Sequence, residues 1–121
     1  MTKVSPRLRL RIVFGPQAML GPGRADLLEL IAQTGSISAA GRGMGMSYKR
    51  AWQLVETLNA IFAEPLVDST RGGPKGGGAQ LTPMGAAVLA QYRGLEAAVA
   101  KASAAQVAGL QALLRQPDDE K

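Results

Sequence analysis

Two stretches of the chain carry residue types that can do chemistry: Ser47-Tyr48-Lys49-Arg50-Ala51-Trp52-Gln53, and the glycine-rich run Arg71-Gly72-Gly73-Pro74-Lys75-Gly76-Gly77-Gly78. That chemistry is non-covalent. The chain has no Cys and no His, which removes disulfides, Cys or His metal sites, thiol nucleophiles and the commonest general base. Its nine acids are scattered, and no Asp/Glu pair combines with glycine spacing of the metal-loop kind. An enzyme is therefore not expected, and neither a cofactor nor a metal is called for. What is left is hydrogen bonding and positive charge. Lys49 and Arg50 can bond guanine edges or phosphates, and Gln53 offers the paired donor and acceptor that an adenine edge accepts. Arg71 and Lys75 sit among glycines whose backbone can come close to a groove or a phosphate.

The charge distribution points the same way. Ten of the fourteen basic residues but only five of the nine acids lie in residues 1–80, so the whole net charge of +5 belongs to the first two thirds of the chain. Acids are absent from Leu30 to Val55 and from Ser69 to Leu95, which leaves Arg42, Lys49, Arg50, Arg71 and Lys75 unopposed by sequence neighbours. A polyanion is the natural partner, against the plainer alternative of a solvated basic surface. Nucleotide-loop readings fail on spacing. Lys75 is followed by Gly76 and not by the Ser or Thr of a phosphate loop, and Met46 stands where Gly41 and Gly43 would need a third glycine for a dinucleotide fingerprint.

These residues need elements to position them. At 121 residues, 46% hydrophobic and 19% charged, the chain has the composition of one globular unit. No apolar run approaches the roughly 18 residues that cross a bilayer, so no membrane is expected and the expected location is the cytoplasm. Arg7-Leu8-Arg9-Leu10-Arg11-Ile12 alternates with period two and predicts a half-buried strand, extended by Val13 and Phe14. Gly15-Pro16 and Gly21-Pro22-Gly23 punctuate the chain before a first helix from about Arg24 to Gln33, with Leu27, Leu28 and Ile31 on one face and Gly35 as its stop.

Ser36 is placed to cap a short second helix reaching about Arg42, and Gly43-Met44-Gly45-Met46 breaks it. Ser47 caps a third helix to about Phe62, with Ala51, Leu54, Val55 and Leu58 facing inward. Tyr48, Lys49, Trp52 and Gln53 then occupy the free face, with Arg50 at its flank. Strands at Pro65-Leu66-Val67-Asp68 and Ala79-Gln80-Leu81 flank the glycine run, which reads as a wing, or in the plainer alternative as a hairpin loop without a ligand.

Thr82-Pro83 opens a last helix expected to reach about Leu114, about 48 Å at 1.5 Å per residue and longer than a domain of this size covers alone. Val88, Tyr92, Leu95, Val99 and Ala102 form a seam spaced by 4, 3, 4 and 3 residues, but Val107, Leu110 and Leu114 fall one position out of it. The pairing expected is therefore not one long regular coiled coil. The expected fold is mainly α with a small β-sheet: a winged helix-turn-helix with a long C-terminal dimerisation helix. Residues 1–82 form its DNA-binding domain, 83–115 its dimerisation helix and 116–121 a frayed tail. Val88, Tyr92, Leu95, Val99, Val107 and Leu110 are the interface residues expected in a homodimer.

With the motifs placed, the chain resembles the N-terminal domain of the ModE-type molybdate-responsive transcriptional regulators. The resemblance rests on Gly35-Ser36-Ile37-Ser38, Ser47-Tyr48-Lys49-Arg50-Ala51-Trp52, Asn59, Gly72 to Ala79, and Leu81-Thr82, within residues 8–95. LysR-type regulators share the winged-helix arrangement and match less closely at the opening of the third helix. The resemblance implies a dimer that controls genes for molybdate uptake and molybdenum enzymes. Full-length members continue into two molybdate-binding domains where this chain stops, so molybdate binding is not expected of it.

On this reading the third helix enters the major groove of double-stranded DNA with Ser47, Tyr48, Lys49, Arg50 and Gln53 at the surface it presents. Trp52 either stacks on sugar and thymine methyl or braces the helix, with bracing preferred. Ser36 and Ser38 touch phosphate at the start of the second helix, and Arg71 and Lys75 grip the flanking backbone or minor groove. The competing classes are a protein-interaction module, and an antagonist that forms mixed dimers with a full-length relative and has no operator of its own.

Overall fold

A computed structural model of the chain describes residues 6–70 and 78–115. Its elements run β1 (Ile12–Val13), β2 (Met19–Leu20), α1 (Pro22–Thr34), α2 (Ile37–Gly43), α3 (Tyr48–Ile61), β3 (Val67–Thr70), β4 (Gly78–Leu81), α4 (Pro83–Ala102) and α5 (Ala104–Ala112). The strands pair as two antiparallel hairpins, β1 with β2 and β3 with β4. The mainly α winged helix-turn-helix expected from the sequence is the fold observed, with the small β component split into two pairs.

The core sits where the first three helices meet. Leu27, Leu28 and Ile31 of α1 and Ala51 and Leu58 of α3 are fully buried, and Ile37, Ala40, Leu66 and Val67 close the space around them. Two side chains set the helix starts. Ser36 Oγ accepts the N–H of Ala39 at 3.0 Å, and Ser47 Oγ accepts that of Arg50 at 3.1 Å, each satisfying a donor that the first helical turn leaves open.

Between α2 and α3 the chain turns at Gly45, whose φ of 72° favours a residue without Cβ. The two helices then close on each other until a Cβ placed on Gly41 would stand 2.8 Å from that of Ala51. This contact sets the angle at which α3 is presented.

β3 and β4 are attached to the helices by specific bonds. Asn59 of α3 accepts the N–H groups of Leu66 at 2.8 Å and Val67 at 3.1 Å. The Ala79 N–H donates to the Gly35 carbonyl at 2.9 Å, fastening β4 to the junction of α1 and α2. Thr82 caps α4 through the N–H of Gly85 and donates its own hydroxyl to the Pro65 carbonyl at 2.7 Å. Arg93 of α4 bonds Asp26 and Glu29 of α1 at 2.8 and 2.9 Å, and Glu96 on its own helix at 3.0 Å. The bond to Asp26 leads in holding the Arg93 guanidinium above its ordinary pKa.

Several expectations are corrected. The strand expected from Arg7 to Phe14 shrinks to Ile12–Val13, because its partner β2 has two residues before Gly21 gives way to α1. The first helix begins at Pro22 and not at about Arg24, since Pro22 has no N–H to lose at the first helical position. The third strand begins at Val67 and not at Pro65, since Pro65 lacks a donor and the pairing with β4 starts at Val67 opposite Leu81.

The last helix does not run unbroken to Leu114. It divides at Ser103, whose hydroxyl bonds back to the Val99 carbonyl at 2.7 Å, a contact that bends helices. The break falls where the apolar seam slips by one residue.

Tyr92, expected to face a second chain, is instead 2% exposed in the chain's own core and donates its hydroxyl to the Leu10 carbonyl at 2.6 Å. Burial accordingly raises its pKa above the ordinary tyrosine value. Val88 is likewise half-buried against that core. Among the described residues no helix is long and apolar enough to cross a membrane.

Candidate nucleic-acid interface

Helix periodicity sorts the side chains of α3 into faces. At about 100° per residue, Ala51, Val55 and Leu58 share the inward side, and all three are buried. Lys49, Gln53 and Glu56 fall opposite and are exposed. Tyr48, Trp52 and Asn59 lie on the flank toward β3 and β4, while Arg50, Leu54 and Ile61 lie on the other. The outward face is therefore polar, and its start is exposed among the described residues.

A groove of about 790 Å³ runs along the first flank. Ser36 and Ser38 from the start of α2, Lys49 and Trp52 from α3, and Thr70 and Gly78 from the ends of β3 and β4 all line it. Lys49 and the base of the wing thus share one side of the fold. Arg71 and Lys75 themselves lie outside the described residues.

The side chains differ in how free they are. Ser36 and Ser47 already cap helices through their hydroxyls, and Ser38 accepts a 2.9 Å bond from Arg42. Tyr48 is 59% exposed, with its ring edge-on to Trp52 at 6.0 Å between centroids. Trp52 is half-buried and packed on the core; its indole N–H is buried and has no hydrogen-bond partner among the described residues. Lys49, Arg50 and Gln53 are exposed, and every ion pair among the described residues involves Arg93. The arrangement offers Lys49 and Gln53 on the outward face, with Glu56 a turn or two further along it, and Arg50 on the adjoining flank, which suits a polyanion with a groove of helix width.

Three residues that matter to this geometry carry no local motif. Arg42 reaches Ser38 one turn back, and the acid-free window of the sequence was the signal for it. Asn59 and Arg93 act across seven or more positions of sequence, and only the folded chain brings their partners near.

A second helix packed across the start of a polar, cationic third one, with a strand pair beside it, defines a winged-helix regulatory domain. The chain belongs to the bacterial regulatory helix-turn-helix proteins of the lysR family, whose family model matches residues 24–86. Its relatives include the molybdenum-pterin-binding protein MopB of Rhodobacter capsulatus, 50% identical over 84 residues, which are 69% of this chain and 31% of that protein. The molybdenum transport protein ModE of Azotobacter vinelandii is 46% identical over 77 residues, 64% of this chain and 28% of its own length. The chain thus spans about three tenths of the length of the curated relatives it matches. Their names agree with the ModE-type resemblance of the third-helix opening and the glycine run. The crystal structure of full-length CbnR complexed with its target DNA superposes with a TM-score of 0.52 at 20% identity, covering 70% of this chain and 27% of that one. That likeness shows the fold.

Proposed function

We propose that the chain is a DNA-binding transcription regulator of ModE type, linked to molybdenum supply or molybdenum enzymes, which reads the major groove of double-stranded DNA with α3. The observation that carries the proposal is the shared side of the fold. The exposed start of α3, the start of α2 and the ends of the wing strands meet along one groove. Gln53 and Lys49 are the base-reading candidates, Tyr48 and Ser47 border them, and Trp52 braces the helix from its half-buried position. Ser36, Ser38, Arg71 and Lys75 serve the phosphate backbone. No catalytic role is assigned to any residue.

The chain acts as a homodimer on this account, with residues 1–82 as the DNA-binding part and the helices from Pro83 onward as the pairing part. The apolar surface favours it. Among the described residues α5 buries none of its own, and Leu110, Leu113 and Leu114 are 67%, 82% and 64% exposed. Leu95, Val99, Val107 and Leu110 remain as interface candidates, whereas Tyr92 is committed to its own core. A mixed dimer with a longer relative would use the same surface.

Substitution separates the two roles. Gln53→Ala is expected to relax base preference at one position of each half-site, while Lys75→Ala weakens binding to every sequence alike. Competition binding against duplexes changed one base at a time reads both. Equal effects of the two variants at every position would remove α3 as the reader.

A further inference from the structure

Arg24 of α1 is half-buried and holds its side chain in place by donating from Nη1 to the Met19 carbonyl at 2.7 Å. Arg11, one residue before β1, comes to the same spot. Its Cγ lies 3.7 Å from where a Cβ on Gly21 would stand, one residue before α1 begins. Arg50 completes the group from the flank of α3 that faces away from the wing. Burial first, then the charge of Arg50, then that of Arg11 hold the Arg24 guanidinium below its ordinary pKa, so Arg24 feels both neighbouring cations.

That repulsion is left standing. Asp26 and Glu29, the acids nearest to Arg24 in sequence, both give their carboxylates to Arg93. Among the described residues none of Arg11, Arg24 and Arg50 has an ion pair. A group of like charges that three separate elements assemble without a counter-charge is relieved by an anion brought from outside.

We infer that Arg11, Arg24 and Arg50 form a second phosphate clamp, which holds the DNA backbone on the side of α3 opposite the wing. The inference rests on the DNA-binding function proposed above and deepens it. The ends of β3 and β4 and the arginine patch lie on the two flanks of the reading face, so a duplex seated on α3 would meet the patch on the wall away from those strands. Arg50 then serves phosphate and not a base edge, and Arg11 and Arg24 join an interface to which no motif assigned them. Contacts of this kind fix register and add affinity without sequence preference.

The test measures duplex affinity against salt for the unmutated chain and for Arg11→Ala, Arg24→Gln and Arg50→Ala, with Lys101→Ala as a control for net charge. Arg11 is exposed, so its substitution leaves the core intact even if Arg24→Gln loosens the β1–β2 hairpin. Each patch substitution, present twice in a dimer, is expected to lower affinity roughly tenfold or more near 0.1 M salt for all sequences alike. The slope of log affinity against log salt should also become shallower by about two. Lys101→Ala should change neither. If the unmutated chain binds duplex and Arg11→Ala and Arg50→Ala bind with the same affinity and slope, the clamp is overturned while DNA binding stands. Loss at a single base position on Arg50→Ala would likewise overturn it, by making Arg50 a base reader. No binding by the unmutated chain would remove the clamp together with the function on which it rests.

Discussion

Between about 50 and about 200 mM monovalent salt, the affinity of the proposed dimer for duplex DNA is expected to fall a thousandfold or more. Neutralising roughly six to ten phosphates releases that number of condensed counterions, and this release weakens as the bulk salt rises. The cations needed are at hand. Lys49 and Arg50 on α3, Arg42 in the last turn of α2, and Arg11 and Arg24 near the start of α1 lie on exposed or half-exposed surface without a carboxylate partner among the described residues. Arg71 and Lys75 of the glycine run add to them. A titration of fluorescent duplex at graded salt measures the slope directly. A nearly flat response would mean that the basic surface serves solubility and that the partner is not a polyanion.

The second large effect concerns stability. Gly85→Ala is expected to cost about 3 kcal/mol, lowering the midpoint of thermal unfolding by roughly 10 °C. At Gly85 the first turn of α4 meets the backbone of Leu66 so closely that an added Cβ would overlap the Leu66 carbonyl group. Backbone at that point cannot yield easily. The Leu66 N–H is bonded to Asn59, its carbonyl accepts the N–H of Thr82 at 2.9 Å, and its side chain is fully buried. Moving Leu66 aside would therefore disturb the start of β3, the cap of α4 and the core together. Gly94, in the same helix with nothing within 4 Å of its added Cβ, makes the contrast. Gly94→Ala should stabilise the chain by up to about 1 kcal/mol, through helix propensity alone. Calorimetry on both variants checks the pair, and equal midpoints would show that the α4 contact is looser than described.

The parts of the fold that obey local rules were legible in the sequence. Ser36, Ser47 and Thr82 cap the helices that they were expected to cap, because the donors of a first turn are satisfied within three residues. Most of the inward face of α3 was legible for the same reason, since 3.6-residue periodicity binds Ala51, Val55 and Leu58 to one side, while Leu54, also expected there, lies half-buried on the flank.

What escaped depends on contacts far apart in sequence. A seam spaced by fours and threes reads alike whether it faces a partner or the chain's own core, and Tyr92 is held inward by a bond to Leu10, a partner 82 positions away. The slip between Ala102 and Val107 was visible as a change of pattern, but not as a break, because the cause is one Ser103 hydroxyl turned back on its helix. The shortened first strand shows a similar limit: alternation in Arg7 to Ile12 is a capacity to pair, and β2 offers two residues to pair with. For the candidate site, the α3 face and the glycine run were legible as residue types. The meeting of Arg11, Arg24 and Arg50 was not, since it joins three elements and no pattern runs between them.

Selection of bound duplexes from a random pool, followed by sequencing, addresses the central claim most directly. The account predicts enrichment of a motif with two-fold symmetry, its half-site centres about 34 Å apart or a multiple of that, as two copies of α3 in successive major grooves require. A pool that emerges unenriched, or one that returns a lone half-site without its mate, would contradict it.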